Sequence, residues 1–272
     1  MKYIDLFNEC KTYNKENEAF LYLFTEIAEM SRSQLYLNFN QEIDEDIYIK
    51  LRIAINQYVK DNKPVQYIIG YTYFYGLKMM VNPKVLIPRF ETEEVVEKAI
   101  QIGRSFTNPR IVDIGTGSGC IGITLKKHLP KASVMAIDIS CDALEVAKTN
   151  ANKNDVKIEF KENDLLSGIS DKFDMIISNP PYIDEDEEVM DLVYDNEPHL
   201  ALFSKNHGLY HYETILRQST SVLNKNGVII FEIAYNKKDE MIELANKYYK
   251  NIEVFKDIHN NDRIMIIQGE KK

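Results

Sequence analysis

The segment Asp113-Ile114-Gly115-Thr116-Gly117-Ser118-Gly119 constrains the fold more than any other stretch of this 272-residue chain. It begins at the end of an apolar strand candidate and enters a helix. Its glycines let the backbone turn tightly and let a ligand approach main-chain N–H groups. In an open α/β sheet such a turn sits at the end of the first strand, where ligands bind at the topological switch. The downstream pattern agrees. Strand candidates recur at residues 110–114, 133–138, 156–161, 173–178 and 228–233. A helical stretch at 142–152 places Ala143, Leu144, Ala147 and Ala151 on one side, and further helices are predicted at 209–223 and 238–249. This alternation predicts a parallel sheet covered on both faces. Two late strands, near 252–256 and 263–268, lie close together, which predicts that the last strand enters antiparallel.

The first 62 residues read differently. Ala19, Phe20, Leu23, Phe24, Ile27 and Ala28 repeat at three and four, as on one helix face. Ser33 is a candidate N-cap for a short helix through Leu37, and a further helix runs from about Asp44 to Lys60. Residues 63–90 are rich in aromatic and β-branched side chains, broken by Gly70 and Gly76, and read as a hairpin or extended connector. The predicted organisation is therefore a small helical domain at 1–62, a connector at 63–90 and an α/β domain at 91–272.

Charge and composition narrow the function. Lys and Arg number 33 against 42 Asp and Glu, a net charge of -9 that argues against a chain lying along a nucleic-acid backbone. No apolar run approaches the ~18 residues that span a bilayer, and the start lacks a signal pattern. The three cysteines lack CxxC spacing, so disulfides and a zinc site are not expected and a reducing cytoplasm is. The five histidines show no metal spacing either: His207 and His211 are four apart, but Gly208 lies between them. The acidic run at 184–188 reads equally as a solvated loop and as a lip for a basic partner.

Two ligands suit the glycine turn. Gly117, Gly119 and Gly122 satisfy GxGxxG, and Asp138 lies at the right distance for a ribose hydroxyl, as in a dinucleotide site. Asp113, two residues before Gly115, instead favours a ligand with a cationic amino-acid end and no pyrophosphate. S-adenosylmethionine carries an ammonium and a sulfonium. Asp138 suits its ribose, and Asp164 suits its adenine amino group.

The fourth strand candidate runs into Asn179-Pro180-Pro181-Tyr182. Two successive prolines make a rigid turn with bare carbonyls. The Asn179 side-chain oxygen and the Pro180 carbonyl can each accept one hydrogen from a planar –NH2, and Tyr182 can pack on its plane. Such an amide nitrogen is a poor nucleophile, so positioning and electrostatics are expected to dominate, without a covalent His or Cys.

These motifs resemble those of the PrmC/HemK protein-(glutamine-N5) methyltransferases. The resemblance covers nearly the whole chain. It rests on Pro64-Val65-Gln66-Tyr67-Ile68-Ile69-Gly70, Leu86-Ile87-Pro88-Arg89-Phe90-Glu91-Thr92-Glu93, the glycine string, Asn179–Tyr182, Glu197-Pro198-His199-Leu200-Ala201-Leu202 and Asn261-Asp262-Arg263. It implies a Rossmann-like, seven-stranded class I methyltransferase domain with a small N-terminal helical bundle. It implies S-adenosylmethionine as cofactor and the glutamine of the GGQ motif in peptide chain release factors as substrate, with no nucleic acid and no membrane as partner.

By that resemblance Gly115, Thr116, Gly117, Ser118 and Gly119 wrap the methionine part beside Asp113. Asp138 holds the ribose, and Asp164 with Leu165 borders the adenine. Asn179, Pro180, Pro181 and Tyr182 hold the glutamine, with Asn179, Pro180 and Tyr182 at the reacting nitrogen and Asn179 also beside the cofactor. Phe74 and Arg89 to Glu93 close the cofactor side. The sequence departs from the family at Phe90, where proline is usual, at Leu165, where an aromatic often stands, and at Glu232-Ile233-Ala234, where E-x-G is usual. Two alternatives share the NPPY geometry: a nucleic-acid adenine-N6 methyltransferase, and a glutamine methyltransferase of a ribosomal protein.

Overall fold

The computed structural model describes residues 1–271. They form two compact units, one of Met1–Tyr71 with Met190–Asn196, the other of Thr72–Val189 with the chain from Glu197 onward. The first is helical: α1 (Tyr3–Cys10), α2 (Asn17–Ile27), α3 (Arg32–Leu37), α4 (Glu45–Val59) and α5 (Val65–Ile69). The apolar stripe of α2 is buried with residues of α1 and α4, including Leu6, Phe7, Leu51 and Tyr58. Phe7 meets Phe24 edge-on at 5.6 Å and Phe20 meets Tyr58 at 5.3 Å, the arrangement that aromatic quadrupoles prefer.

Two local expectations are corrected. The cap of α3 is Ser31, not Ser33: its hydroxyl accepts from Gln34 N and the Gln34 side chain accepts from Ser31 N, a reciprocal capping box. Residues 65–69, read as extended, form α5. Pro64 occupies its N-cap, Gly70 ends it in the left-handed region at φ 85°, and Val65 and Tyr67 are buried. Burial and the two end signals outweigh the β-branched composition.

The second unit opens with a two-stranded sheet of β1 (Tyr71–Phe74) and β2 (Leu77–Met80), followed by α6 (Phe90–Gly103). Then come β3 (Arg110–Ile114), α7 (Cys120–His128), β4 (Ser133–Asp138), α8 (Cys141–Lys153), β5 (Glu159–Glu162), β6 (Phe173–Ser178) and β7 (Ile183–Asp184). After α9 (Asp191–Tyr194), which belongs to the helical unit, follow β8 (Phe203–Ser204), α10 (Tyr210–Val222), β9 (Leu223–Glu232), α11 (Lys238–Ala245), β10 (Tyr249–Lys256) and β11 (Asp262–Lys271).

Seven strands form one sheet in the order β10-β11-β9-β6-β3-β4-β5. The five from β9 to β5 are parallel, and β11 runs antiparallel to both β9 and β10. This is the Rossmann-like class I methyltransferase arrangement. Alternate strand residues enter opposite cores. Val112, Ile114, Ile137 and Ile176 pack with α10 and α11, whereas Ile111, Val134, Met175 and Ile177 pack with α6 and α7. A sheet buried on both faces explains why its central strands read as unbroken apolar runs. The chain builds β3, β4 and β5 outward and then crosses to β6 on the other side of β3. The carboxyl ends of β3 and β6 therefore flank the switch point.

Candidate functional site

The glycine turn follows β3 and the Asn-Pro-Pro-Tyr turn follows β6. Ile114 and Ser178, the last residues of these strands, are register partners, and Ser178 Oγ donates to the Ile114 carbonyl at 2.8 Å. A cleft partly open to solvent lies at this edge. Gly115, Gly117, Asp138, Asp164, Leu165, Asn179 and Pro181 all line it. Asp113, Thr116, Ser118, Gly119, Pro180, Tyr182 and Arg89 are not part of its lining.

Asp113 lies beneath the turn. It is wholly buried, and its Oδ2 accepts from Thr116 Oγ1 at 2.6 Å and from Gly122 N at 2.9 Å. Its Oδ1 has no hydrogen-bond partner, alone among buried side-chain polar atoms of the described residues. Burial pushes the Asp113 carboxyl up to about 7, against the two donors that favour its ionised form. At Gly117 (φ 54°) an added Cβ would meet nothing within 4 Å, so the turn exposes bare backbone. At Gly119 (φ 82°) a Cβ would come within 2.9 Å of Ile123 Cδ1 and 3.1 Å of Ala147 Cβ. Glycine is required there twice over, for the left-handed cap of α7 and for the approach of α8.

Asp138 Oδ2 accepts from Gly117 N at 2.8 Å and Oδ1 from Ser140 N at 2.9 Å. Burial raises this carboxyl's pKa, and these backbone donors oppose the shift. Asn150, fully buried on α8, clamps three pieces together: its Oδ1 accepts from Met80 N at 2.7 Å, and its Nδ2 donates to the Met80 carbonyl at 3.0 Å and the Ser118 carbonyl at 2.8 Å.

Leu165 holds φ at 48°, a region that costs a branched side chain energy. Asn163 supports it by donating from Nδ2 to the Leu165 carbonyl at 2.9 Å and the Ser167 carbonyl at 3.0 Å. On the acceptor side, Asn179 Nδ2 donates to Thr92 Oγ1 at 3.3 Å. Tyr182 packs on the sheet core, and burial pushes its phenol up to about 12, so the ring remains neutral near pH 7.

Several residues at the site escaped the sequence reading. Ile139, 52% exposed, lines the cleft with Ala143, Asn163 and His211. An apolar residue directly after the strand-end acid was the available signal for Ile139. His211 lies on α10, outside His207, which precedes that helix and pairs with Asp184 at 2.7 Å; its Nδ1 meets Ser204 Oγ at 2.8 Å. Glu197 is buried, accepting from Ile87 N at 3.0 Å and from Arg89 Nη2 at 2.6 Å. The expected closure of the cofactor side by Arg89 is thus a brace between two segments. Phe74, expected at the pocket, is buried in the core against α6 and α7, because β1 packs its inward face there.

Comparison with known proteins follows the same division of the chain. Residues 94–267 match the methyltransferase small domain, and residues 3–70 match the PrmC N-terminal domain. The release factor glutamine methyltransferase of Flavobacterium psychrophilum is 43% identical over 261 residues, covering 92% of this chain and 91% of that protein. The release factor glutamine methyltransferase of Streptococcus pneumoniae is 37% identical over 276 residues, covering 98% of each. Among solved structures, a methyltransferase from Pyrococcus furiosus superposes with a TM-score of 0.53 at 17% identity, covering 82% of this chain and 98% of that one, which shows the shared fold.

Proposed function

The chain belongs to the PrmC/HemK family of protein-(glutamine-N5) methyltransferases, and from that premise we propose how its two strand tips perform the reaction. A methyl group passes from S-adenosylmethionine to the side-chain amide nitrogen of the glutamine in the GGQ motif of peptide chain release factors. The observation that carries this reading is the pairing of Ile114 with Ser178, which puts the glycine turn and the Asn-Pro-Pro-Tyr turn on adjacent tips.

The residues present fit the cofactor. Bare backbone at Gly115 and Gly117 leaves space that any side chain would fill. The unpartnered Asp113 oxygen behind that turn attracts a cationic amino-acid end. Asp138 keeps acceptor capacity beyond its two backbone donors for ribose hydroxyls. Ile139, Ala143 and Leu165 offer apolar walls to a flat ring beside Asp164. When bound, S-adenosylmethionine supplies an electrophilic methyl group on a sulfonium.

Asn179 Oδ1 and the Pro180 carbonyl accept the two amide hydrogens of the substrate glutamine and aim its nitrogen. With S-adenosylmethionine held by the glycine turn and Asp138, that nitrogen would take up the methyl group as the sulfonium becomes a neutral thioether, and one amide proton would pass to water. No side chain here is assigned as a base. Alignment of the reactants recovers on the order of 7–11 kcal/mol of barrier in favourable model reactions, enough to make positioning the main device. The helical unit supplies the partner-recognition surface in this reading, and the three free cysteines fit a reducing cytoplasm.

Mass spectrometry of a purified release factor after incubation with the enzyme and S-adenosylmethionine tests the assignment. The expected product is one added methyl group on the GGQ glutamine. Methylation of adenine in nucleic acid, or of a ribosomal protein, with the release factor untouched would reject it.

A further inference from the structure

The Asn179 amide has two ends, and only one orientation serves the reaction. We propose that Thr92 and Glu232 are positioning residues that fix the polarity of this amide, so that its oxygen and not its –NH2 meets the substrate glutamine. The inference rests on Asn179 as the substrate acceptor described above.

The geometry is a short relay. Phe231 on β9 is the register partner of Ser178 on β6, so Glu232 and Asn179 follow paired residues on neighbouring strands. Thr92, in the first turn of α6, is 3% exposed, and Glu232 is 1% exposed. The Thr92 hydroxyl donates to Glu232 Oε2 at 2.6 Å, and Thr92 Oγ1 accepts from Asn179 Nδ2 at 3.3 Å. A hydroxyl carries one proton. With that proton committed to a buried carboxylate, the Thr92 oxygen can only accept from Asn179. Turning the amide over would set two lone-pair oxygens against each other. Asn179 lines the cleft, and this relay leaves its Oδ1 as the acceptor for the substrate.

Glu232 has no other part in methyl transfer, and its burial is costly without partners. The groups that act on it come from every neighbouring element: Thr92 and Glu91 on α6, Arg89 just before it, Arg263 on β11, Tyr182 after β6, Tyr212 on α10 and Cys120 on α7. Burial pushes the Glu232 carboxyl up to about 7, with Thr92 and Arg263 favouring the ionised form. Once protonated, Glu232 can donate to Thr92 Oγ1 instead. The freed Thr92 proton then suits Asn179 Oδ1, and the amide presents its wrong end. Turnover therefore falls as pH drops through the titration of Glu232.

The test uses the full chain with S-adenosylmethionine and a purified GGQ-containing release factor. Thr92→Val keeps the shape and removes the hydroxyl; it should lower kcat about 10- to 100-fold while the KM for S-adenosylmethionine stays within about threefold. Thr92→Ser should restore most of kcat. The acid limb of the kcat–pH profile should be present in the wild type and absent in Glu232→Gln. A wild-type kcat in Thr92→Val, a serine variant as impaired as the valine one, or an acid limb that survives in Glu232→Gln and vanishes in Asp113→Asn would each overturn the relay. Asn179→Ala separates the two levels. If it is inactive while Thr92→Val is unimpaired, the relay fails and the site assignment stands; if it is fully active, the site assignment itself fails.

Discussion

The two strand tips at the cleft are built on similar foundations and to different ends. Behind each lies a buried carboxylate that accepts from a threonine hydroxyl at 2.6 Å, Asp113 from Thr116 and Glu232 from Thr92. Burial pushes both carboxyls up to about 7. At the β3 tip the remaining partners are backbone groups: Gly122 N reaches Asp113, and Gly117 N reaches Asp138. At the β6 tip the chain of contacts runs from side chain to side chain. The first tip therefore depends on the course of the backbone, which many sequences can supply where glycines permit. The second depends on the identity of three side chains, because only their donors and acceptors set the direction of an amide.

The largest effect should come from the β6 tip. Asn179→Ala should cut kcat about 10²–10³-fold, the scale of losing one hydrogen-bonding group at a reacting centre, and leave the cofactor Kd within about threefold. Labelled methyl transfer and calorimetry read the two quantities, and a parallel fall in both would erase the contrast between the tips. Next comes Asp138→Ala at the donor side. Losing a charge-assisted acceptor should weaken S-adenosylmethionine about 10- to 100-fold with kcat at saturation little changed. Unchanged affinity would remove Asp138 from the ribose.

The smallest effect concerns Asp113 and stability. Its carboxyl ionises near pH 4 in an unfolded chain and at about 7 in the ligand-free fold. Its raised folded pKa gives stability that is full below about pH 4 and is lost as pH rises through about 7. Between pH 6 and 8 the wild type should lose on the order of 1 kcal/mol relative to Asp113→Asn, whose amide does not titrate. Chemical denaturation of both proteins at the two pH values checks this, and an opposite slope would show that the donors outweigh the burial.

The contrast also explains what the sequence made legible. The strands Arg110–Ile114, Ser133–Asp138 and Phe173–Ser178 match the expected ranges because apolar runs buried on both faces end abruptly at polar, glycine or proline residues. The outer strands are less well marked: the strand expected at 156–161 runs Glu159–Glu162, and the helix expected to reach 249 stops at Ala245. Their ends are set by pairing and exposure more than by composition. The glycine string and the Asn-Pro-Pro-Tyr turn were legible because each is contiguous. Thr92 and Glu232, 140 residues apart, were not. Nothing in local periodicity joins a threonine in a helix's first turn to an acid at a strand end; only the crossover from β6 to β9 and the packing of α6 bring them together. Asn150 and Asn163 escaped for a different reason: their partners are main-chain groups that any sequence carries.

The brace from Glu197 to Arg89 and Ile87 N has a consequence for inheritance. Two stretches that look like independent signatures, more than a hundred positions apart, are one physical object. Changing Arg89 alone leaves the buried Glu197 carboxylate without its cation, and changing Glu197 leaves the Ile87 amide without its acceptor whatever stands at position 89. A substitute at position 197 must therefore bring an acceptor within reach of Ile87 N, a demand that no change at Arg89 can lift.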